Sequence, residues 1–346
     1  MNVEGLQEDF GRAARAAGGT TERWFALAGR AVCLRFAGSA AAEALGAAFR
    51  HLDSARADRA ALTLHVWDSG TADVPRPAFA PPRPATWQAE ASGAGASYFF
   101  EGDGFRALHQ PPTDALSVLN ARGDTGWFWV PDATALPYWE YTAPFRHVLN
   151  WWLGANGLCY VHGGAVGTES GGVVLVGPGG SGKSTAALSV LADERLRFAG
   201  DDYVAIGRDG EPAVYSLYCF AKVNRADTDR LPHLEPALAS DAPVNAKLVV
   251  DVRAMFPDRS IRTFPLRAVV VPRVTGRPAA RVLPGRQAEA LRALAPSTIF
   301  QLHPPAPQAL AQMAELIRTV PTFILELGPE AGTIPGTLAR LLEELG

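Results

Sequence analysis

Lysine is nearly missing from this chain. Of its 32 basic residues only Lys183, Lys222 and Lys247 are lysines, which leaves 29 arginines. Coding composition is the simplest cause of such a bias. The three exceptions still stand out, because an ammonium is a compact point charge and a guanidinium a planar fork, and all three fall within 65 residues. Cysteine is equally scarce. Cys33, Cys159 and Cys219 are odd in number, far apart and in no metal-type spacing, so neither a disulfide framework nor a zinc site is indicated. Net charge is small, at −3, so there is no basic surplus to neutralise a nucleic-acid backbone. No apolar run approaches the ~18 residues of a membrane span. The opening MNVEGLQEDF carries three acids where a secretory signal needs a basic start, so a cytoplasmic protein is expected.

What is present suffices for a large core. A length of 346 residues at 48% hydrophobic excludes disorder and suggests two domains, expected at 1–140 and 141–346. In the first, Ala31–Phe36 and Leu62–Trp67 read as strands around an alanine-rich helix over Ala40–Leu52, and the proline-rich Val74–Pro84 reads as an exposed loop. Together they describe a smaller α+β domain that names no chemistry. Five of the eight tryptophans lie between 127 and 152. Trp127 and Trp129 alternate as on a strand; Trp151 and Trp152 fall in a helix expected to begin near Thr142, with Pro144 in its first turn. A core seam between two domains is the expected cause of this clustering.

Beyond Tyr141 strands and helices alternate. Strands are expected at Leu158–Val161, Val173–Val176, Leu196–Ala199, Leu248–Val252, Arg267–Val271 (stopped by Pro272) and Thr322–Leu327. Helices are expected at Ser184–Ala192, Gln308–Thr319 and Ile334–Leu345. The pattern is that of an α/β domain with a central sheet.

One motif carries chemistry. Gly177-Pro178-Gly179-Gly180-Ser181-Gly182-Lys183-Ser184 matches G-x-x-x-x-G-K-[ST], with an apolar strand before it and a helix from Thr185 after it. Glycines let backbone N–H groups approach phosphate oxygens. Lys183 would reach the β- and γ-phosphates, and the Ser184 hydroxyl would hold Mg²⁺. The same residues also spell G-x-G-x-x-G, the dinucleotide fingerprint, with Asp201 about twenty residues on. The Lys-Ser pair separates the two readings, because only the phosphate-binding loop needs it.

Two further elements flank the loop. Asp201-Asp202 closes the next strand, 18 residues past Lys183. At the carboxyl edge of an open sheet one acid can sit near Mg²⁺ while its neighbour accepts a hydroxyl proton. Val161-His162-Gly163-Gly164 ends the strand expected just before the loop strand. It puts a histidine two strands from the acids, within reach of phosphates.

These three elements, in this order, resemble the HPr kinase/phosphorylase family and its P-loop serine-kinase relatives. Weaker resemblance extends over Tyr215–Asn224, Ala293–Leu302 and Val320–Gly328, most like the kinases associated with lasso-peptide maturation, and covers roughly residues 155–345. The resemblance implies a P-loop kinase core of the HPr kinase type, a mixed central sheet with flanking helices. It implies ATP and Mg²⁺ as cofactors and a serine hydroxyl, near the C-terminus of a precursor peptide, as acceptor. Carried over, Lys183 and the loop from Gly177 through Thr185 bind phosphates, Ser184 and Asp202 hold the metal, Asp201 is the general base, and His162 orients Asp201 or the phosphoryl group. The glycine-containing signature of the bifunctional enzyme has no match here, so neither phosphorolysis nor a phosphocarrier substrate is implied. Lys222 reads as a surface lysine or as a contact to phosphate or acceptor; Arg273, Ser297 and Gln301 are weaker pocket candidates. A small-molecule alcohol kinase, a nucleotide-gated regulatory module and, more distantly, a dinucleotide oxidoreductase remain open, as does a homo-oligomer.

Overall fold

The computed structural model describes residues 3–70, 74, 76–77, 88–92, 95–102, 104–239, 247–302 and 309–346. Most of the proline-rich segment 74–84 lies outside them. The chain divides into two compact units, Met1–Asn156 with Phe300–Pro307, and Gly157–Ile299 with Gln308–Gly346. The division therefore falls at Asn156/Gly157, where the sequence suggested 140/141.

The first unit is an α+β arrangement on one eight-stranded sheet. Its strands are β1 (Thr20–Leu27), β2 (Arg30–Ala37), β3 (Leu62–Asp68), β4 (Gln88–Ser92), β5 (Gly95–Gly102), β6 (Phe105–Gln110), β7 (Ala115–Asn120) and β8 (Thr125–Val130), in the order β1-β2-β3-β8-β7-β6-β5-β4. Its helices are α1 (Val3–Ala16), α2 (Ser39–Gly46), α3 (Tyr138–Tyr141) and α4 (Arg146–Ala155). Ala28 and Gly29, both at positive φ, close the β1–β2 hairpin, the two-residue turn whose twist suits antiparallel strands. Helix α2 and the 3₁₀ turn Ala47–Leu52 then cross over to β3, which runs parallel to β2 and β8. Leu6, Phe10 and Ala13, spaced for one helix face, join Trp67, Phe105, Val118, Trp127 and Trp129 in the core. Trp151 and Trp152 are buried in α4, while Trp139 is 41% exposed. The helix expected from Thr142 starts instead at Arg146. Phe145 breaks it with φ 62°, a left-handed turn that sets its ring, 1% exposed, between Phe49 and Phe128.

The second unit is a mixed α/β fold. Its strands are β9 (Cys159–His162), β10 (Gly164–Thr168), β11 (Gly171–Leu175), β12 (Arg197–Gly200), β13 (Tyr203–Asp209), β14 (Glu211–Ser216), β15 (Phe220–Asn224), β16 (Lys247–Asp251), β17 (Thr263–Val274), β18 (Arg281–Pro284) and β19 (Thr322–Leu327). Its helices are α5 (Lys183–Ser189), α6 (Val252–Met255), α7 (Gln287–Gln301), α8 (Ala309–Thr319) and α9 (Ile334–Leu345). Strand β17 is the spine. Its start pairs with β14, leading to β13 and β9; its remainder lies parallel between β11 and β19, with β10 and β12 beyond β11. The sheet is thus two half-sheets hinged on one long strand, and β15–β16 form a separate ribbon.

Pro272 does not stop β17, contrary to expectation. Val269 donates to β19 through Pro321 O, and Val270 accepts from Val176 on the β11 side. Pro272 shares Val270's parity, so its missing N–H points where β11 has already ended. The core gathers Val173, Leu175, Ala186, Ala187, Phe198, Val223, Val250, Val270, Leu325 and Leu338. Helix α5 is therefore held between the sheet, the β15 ribbon and α9.

Candidate functional site

The loop leaving β11 turns on residues without a Cβ. Gly180 and Gly182 have φ of 78° and 98°, the left-handed region that favours glycine. A Cβ on Gly182 would lie 2.3 Å from Leu327 Cδ1, and one on Gly177 would lie 2.6 Å from Ser181 Oγ. A Cβ on Gly179 would meet nothing within 4 Å, so this glycine keeps the outer loop surface bare. Lys183, the first residue of α5, folds back over the loop. Its Nζ donates to Gly177 O at 2.6 Å and Pro178 O at 3.1 Å. Burial lowers its pKa, while Asp201 and Asp202 act to raise it. Ser181 Oγ is buried without a partner, and Thr185 is buried in the first turn.

The acids and the histidine meet where the chain changes half-sheets. Strand β9 belongs to one half and β10 to the other, with only Gly163 between them; β12 and β13 are split likewise by Asp201 and Asp202. The two crossings lie side by side. His162 is the register partner of Tyr203, and Gly163 N donates to Asp202 O at 2.9 Å. Gly163 is required there, since a Cβ would sit 2.8 Å from Leu175 O. The expected spacing is corrected by this pairing: His162 is next to the acids, not two strands away, and β10 intervenes between its strand and the loop strand.

The acids have different surroundings. Asp201 is 1% exposed; its Oδ2 accepts from Lys222 N at 2.8 Å, while its Oδ1 is buried with no partner. Burial and the neighbouring Asp202 raise its pKa to about 6, against the opposing hydrogen bond from Lys222 N and the nearby Ser184 hydroxyl. Asp202 instead pairs with the Lys222 ammonium. Burial works to raise its pKa, but Lys222 and His162 outweigh this and hold it low. Ser184 therefore faces Asp201, and Lys222 and His162 face Asp202. His162 itself is buried, its pKa lowered to about 4 by desolvation and by Lys183, with Nδ1 unpartnered. It is neutral at pH 7.

Lys222 is buried, not a surface lysine, because β15 packs on α5 and carries it under the acids. The other candidates sit apart. Arg273 is half-exposed and paired with Glu289 at 3.3 Å. Ser297 turns its hydroxyl onto its own helix, donating to Ala293 O and Leu294 O. Gln301 is exposed in the last turn of α7. The residue of α7 that reaches the site is Thr298, whose Oγ1 accepts from His162 N at 3.1 Å. Thr298 and Tyr203, whose ring centroid lies 5.2 Å from that of His162, carry no sequence signal.

Among the described residues no three His, Cys, Asp or Glu side chains form a metal cage. The donors present suit a cation that takes most of its ligands elsewhere: one hydroxyl, Ser184, beside one carboxylate with an unpartnered oxygen. Mg²⁺ binds in this way, through one or two carboxylates, water and substrate phosphates. No helix among the described residues is long and apolar enough to cross a membrane.

No model of a protein family matches the chain, and no curated protein matches it. Among solved structures it is similar to that of the Hpr(Ser) kinase/phosphatase from Coxiella burnetii, with a TM-score of 0.30 and 11% identity. The alignment covers 54% of this chain and 94% of that one. A likeness this loose transfers no residue roles.

Proposed function

We propose that the second unit is a phosphotransferase that moves the γ-phosphoryl group of Mg-ATP to a hydroxyl. The single observation that carries this is the convergence of a glycine loop and its lysine with a buried acid pair, one of whose oxygens is unpartnered. The loop amides and Lys183 would bind the β- and γ-phosphates, Lys183 exchanging its two loop carbonyls for phosphate oxygens. Magnesium, when bound, would neutralise charge on the β- and γ-phosphates.

The surroundings of the two acids favour an exchange of the roles that the family resemblance implies. Asp201 stands beside Ser184 and has the free oxygen, so these two residues would hold the metal. Asp202, the more exposed acid, would face the acceptor and take its proton as the acceptor oxygen bonds to phosphorus and the bond to the ADP oxygen breaks. A low pKa is no obstacle, because a loose phosphoryl-transfer transition state asks more of positioning and charge than of base strength. Lys222 and neutral His162 would orient Asp202.

For the acceptor we propose a serine of a peptide, near its C-terminus, on the family resemblance alone. Purified protein with Mg-ATP and peptides ending in serine should yield peptide heavier by one phosphoryl group. Free serine phosphorylated in place of peptide would favour the small-molecule reading, and nucleotide binding without any product the regulatory one.

A further inference from the structure

The third lysine belongs to the same place. Lys247 opens β16, where it is the register partner of Asn224, while Lys222 is the partner of Val249. Cross-strand partners project to one face of an antiparallel ribbon, as do residues two apart. Lys222, Asn224, Lys247 and Val249 therefore share a face, with the two lysines as diagonal neighbours. Lys222 points this face at the acids, since its ammonium ends on Asp202. Lys247 is exposed and makes no ion pair with another described residue. Its charge reaches inward, lowering the pKa of both Lys183 and His162 and contributing to the low pKa of Asp202. A chain that otherwise uses arginine thus places all three of its ammonium groups within electrostatic reach of His162.

We propose that Lys247 contacts the terminal phosphate of a bound nucleoside triphosphate, from the side opposite the glycine loop. This rests on the phosphotransferase reading and adds a residue outside the recognised motifs to it. The shared ribbon face gives Lys247 its direction. Lys222, its diagonal neighbour on that face, ends on Asp202, the acid at which the γ-phosphate would be transferred, so phosphate is the anion that Lys247 would meet. Lys183 would hold the phosphates from the loop and Lys247 would close on the γ-group from the ribbon.

Comparing a triphosphate with a diphosphate tests this. Binding of Mg-β,γ-imido-ATP and Mg-ADP is measured by calorimetry on the full chain, wild type, Lys247→Ala and Lys247→Arg, each with its thermal melt. Loss of one charge-assisted hydrogen bond should weaken the triphosphate about tenfold in Lys247→Ala, with ADP and the melt nearly unchanged and Lys247→Arg intermediate. Equal loss for both nucleotides, no loss for either, or an effect confined to the acceptor's KM would overturn the proposal and leave the phosphotransferase reading standing. Wild-type protein that binds neither nucleotide would overturn both.

Discussion

The N–H of Gly163 donates to the carbonyl of Asp202 at 2.9 Å, tying together two motifs that lie 39 positions apart in the chain. At this point both strand pairs pass from one half-sheet to the other, and a side chain there stands at the edge of both halves. His162 and the two acids are brought together by the hinge of the sheet, not by a loop.

The exchange of roles between the acids makes opposite demands on two variants. Asp202→Asn should lower the transfer rate by at least about a hundredfold, the usual scale for a lost general base, with Mg-nucleotide affinity almost unchanged. Asp201→Asn should raise the Mg²⁺ concentration needed for half-maximal rate. If Asp202→Asn raises the Mg²⁺ requirement and Asp201→Asn leaves it alone, the roles implied by the family resemblance are the right ones.

The Lys222–Asp202 pair is largely buried, so breaking it from one side should be worse than removing it. Lys222→Met and Asp202→Asn are each expected to lose about 3 kcal/mol of stability, and the double variant clearly less than the sum. Urea melts of the four proteins measure the coupling; additive losses would mean that the pair contributes no interaction of its own.

At Gly182 two constraints coincide, a positive φ and Leu327 at 2.3 Å from a would-be Cβ. Gly182→Ala should cost about 2 kcal/mol or more and displace the first turn of α5, weakening nucleotide binding. Gly179→Ala, with open space around its Cβ, should leave the melting temperature nearly unchanged. Similar melts for both variants would remove the steric argument.

The first unit carries a pH signature. His65 is buried, its Nδ1 unpartnered, against Phe10, and burial lowers its pKa from 6.5 to about 4. Between those values the unfolded chain binds the proton and the folded chain does not, so stability is full above pH 6.5 and is lost as pH falls. The upper limit is about 3 kcal/mol. His65→Leu should flatten the stability of this unit between pH 6.5 and 4; an unchanged acid slope would assign the loss to other groups.

Regular elements were legible wherever a period was. Strands β2, β3, β11 and β19 and helices α5, α8 and α9 stand close to where alternation or helical spacing put them, because burial of one face or both imposes that pattern. Strands β10 and β11 share the glycine-rich stretch GAVGTESGGVVL, which has no side-chain rhythm to separate them, so β10 was invisible. Pro272 misled for a different reason, since a proline ends a strand only if a neighbour needs its N–H.

By itself the sequence determined the local chemistry: the loop whose glycines admit phosphate, the lysine and serine that follow it, and the presence of two acids and a histidine nearby. Each of these follows from short-range steric and charge requirements within a few residues. Which acid lies near the serine, which pairs with Lys222, and that all three lysines come within electrostatic reach of one histidine were decided only by the tertiary structure. Those relations depend on how a long strand hinges two half-sheets and where a separate ribbon packs on α5, and such long-range pairings leave no trace in the spacing of residues along the chain.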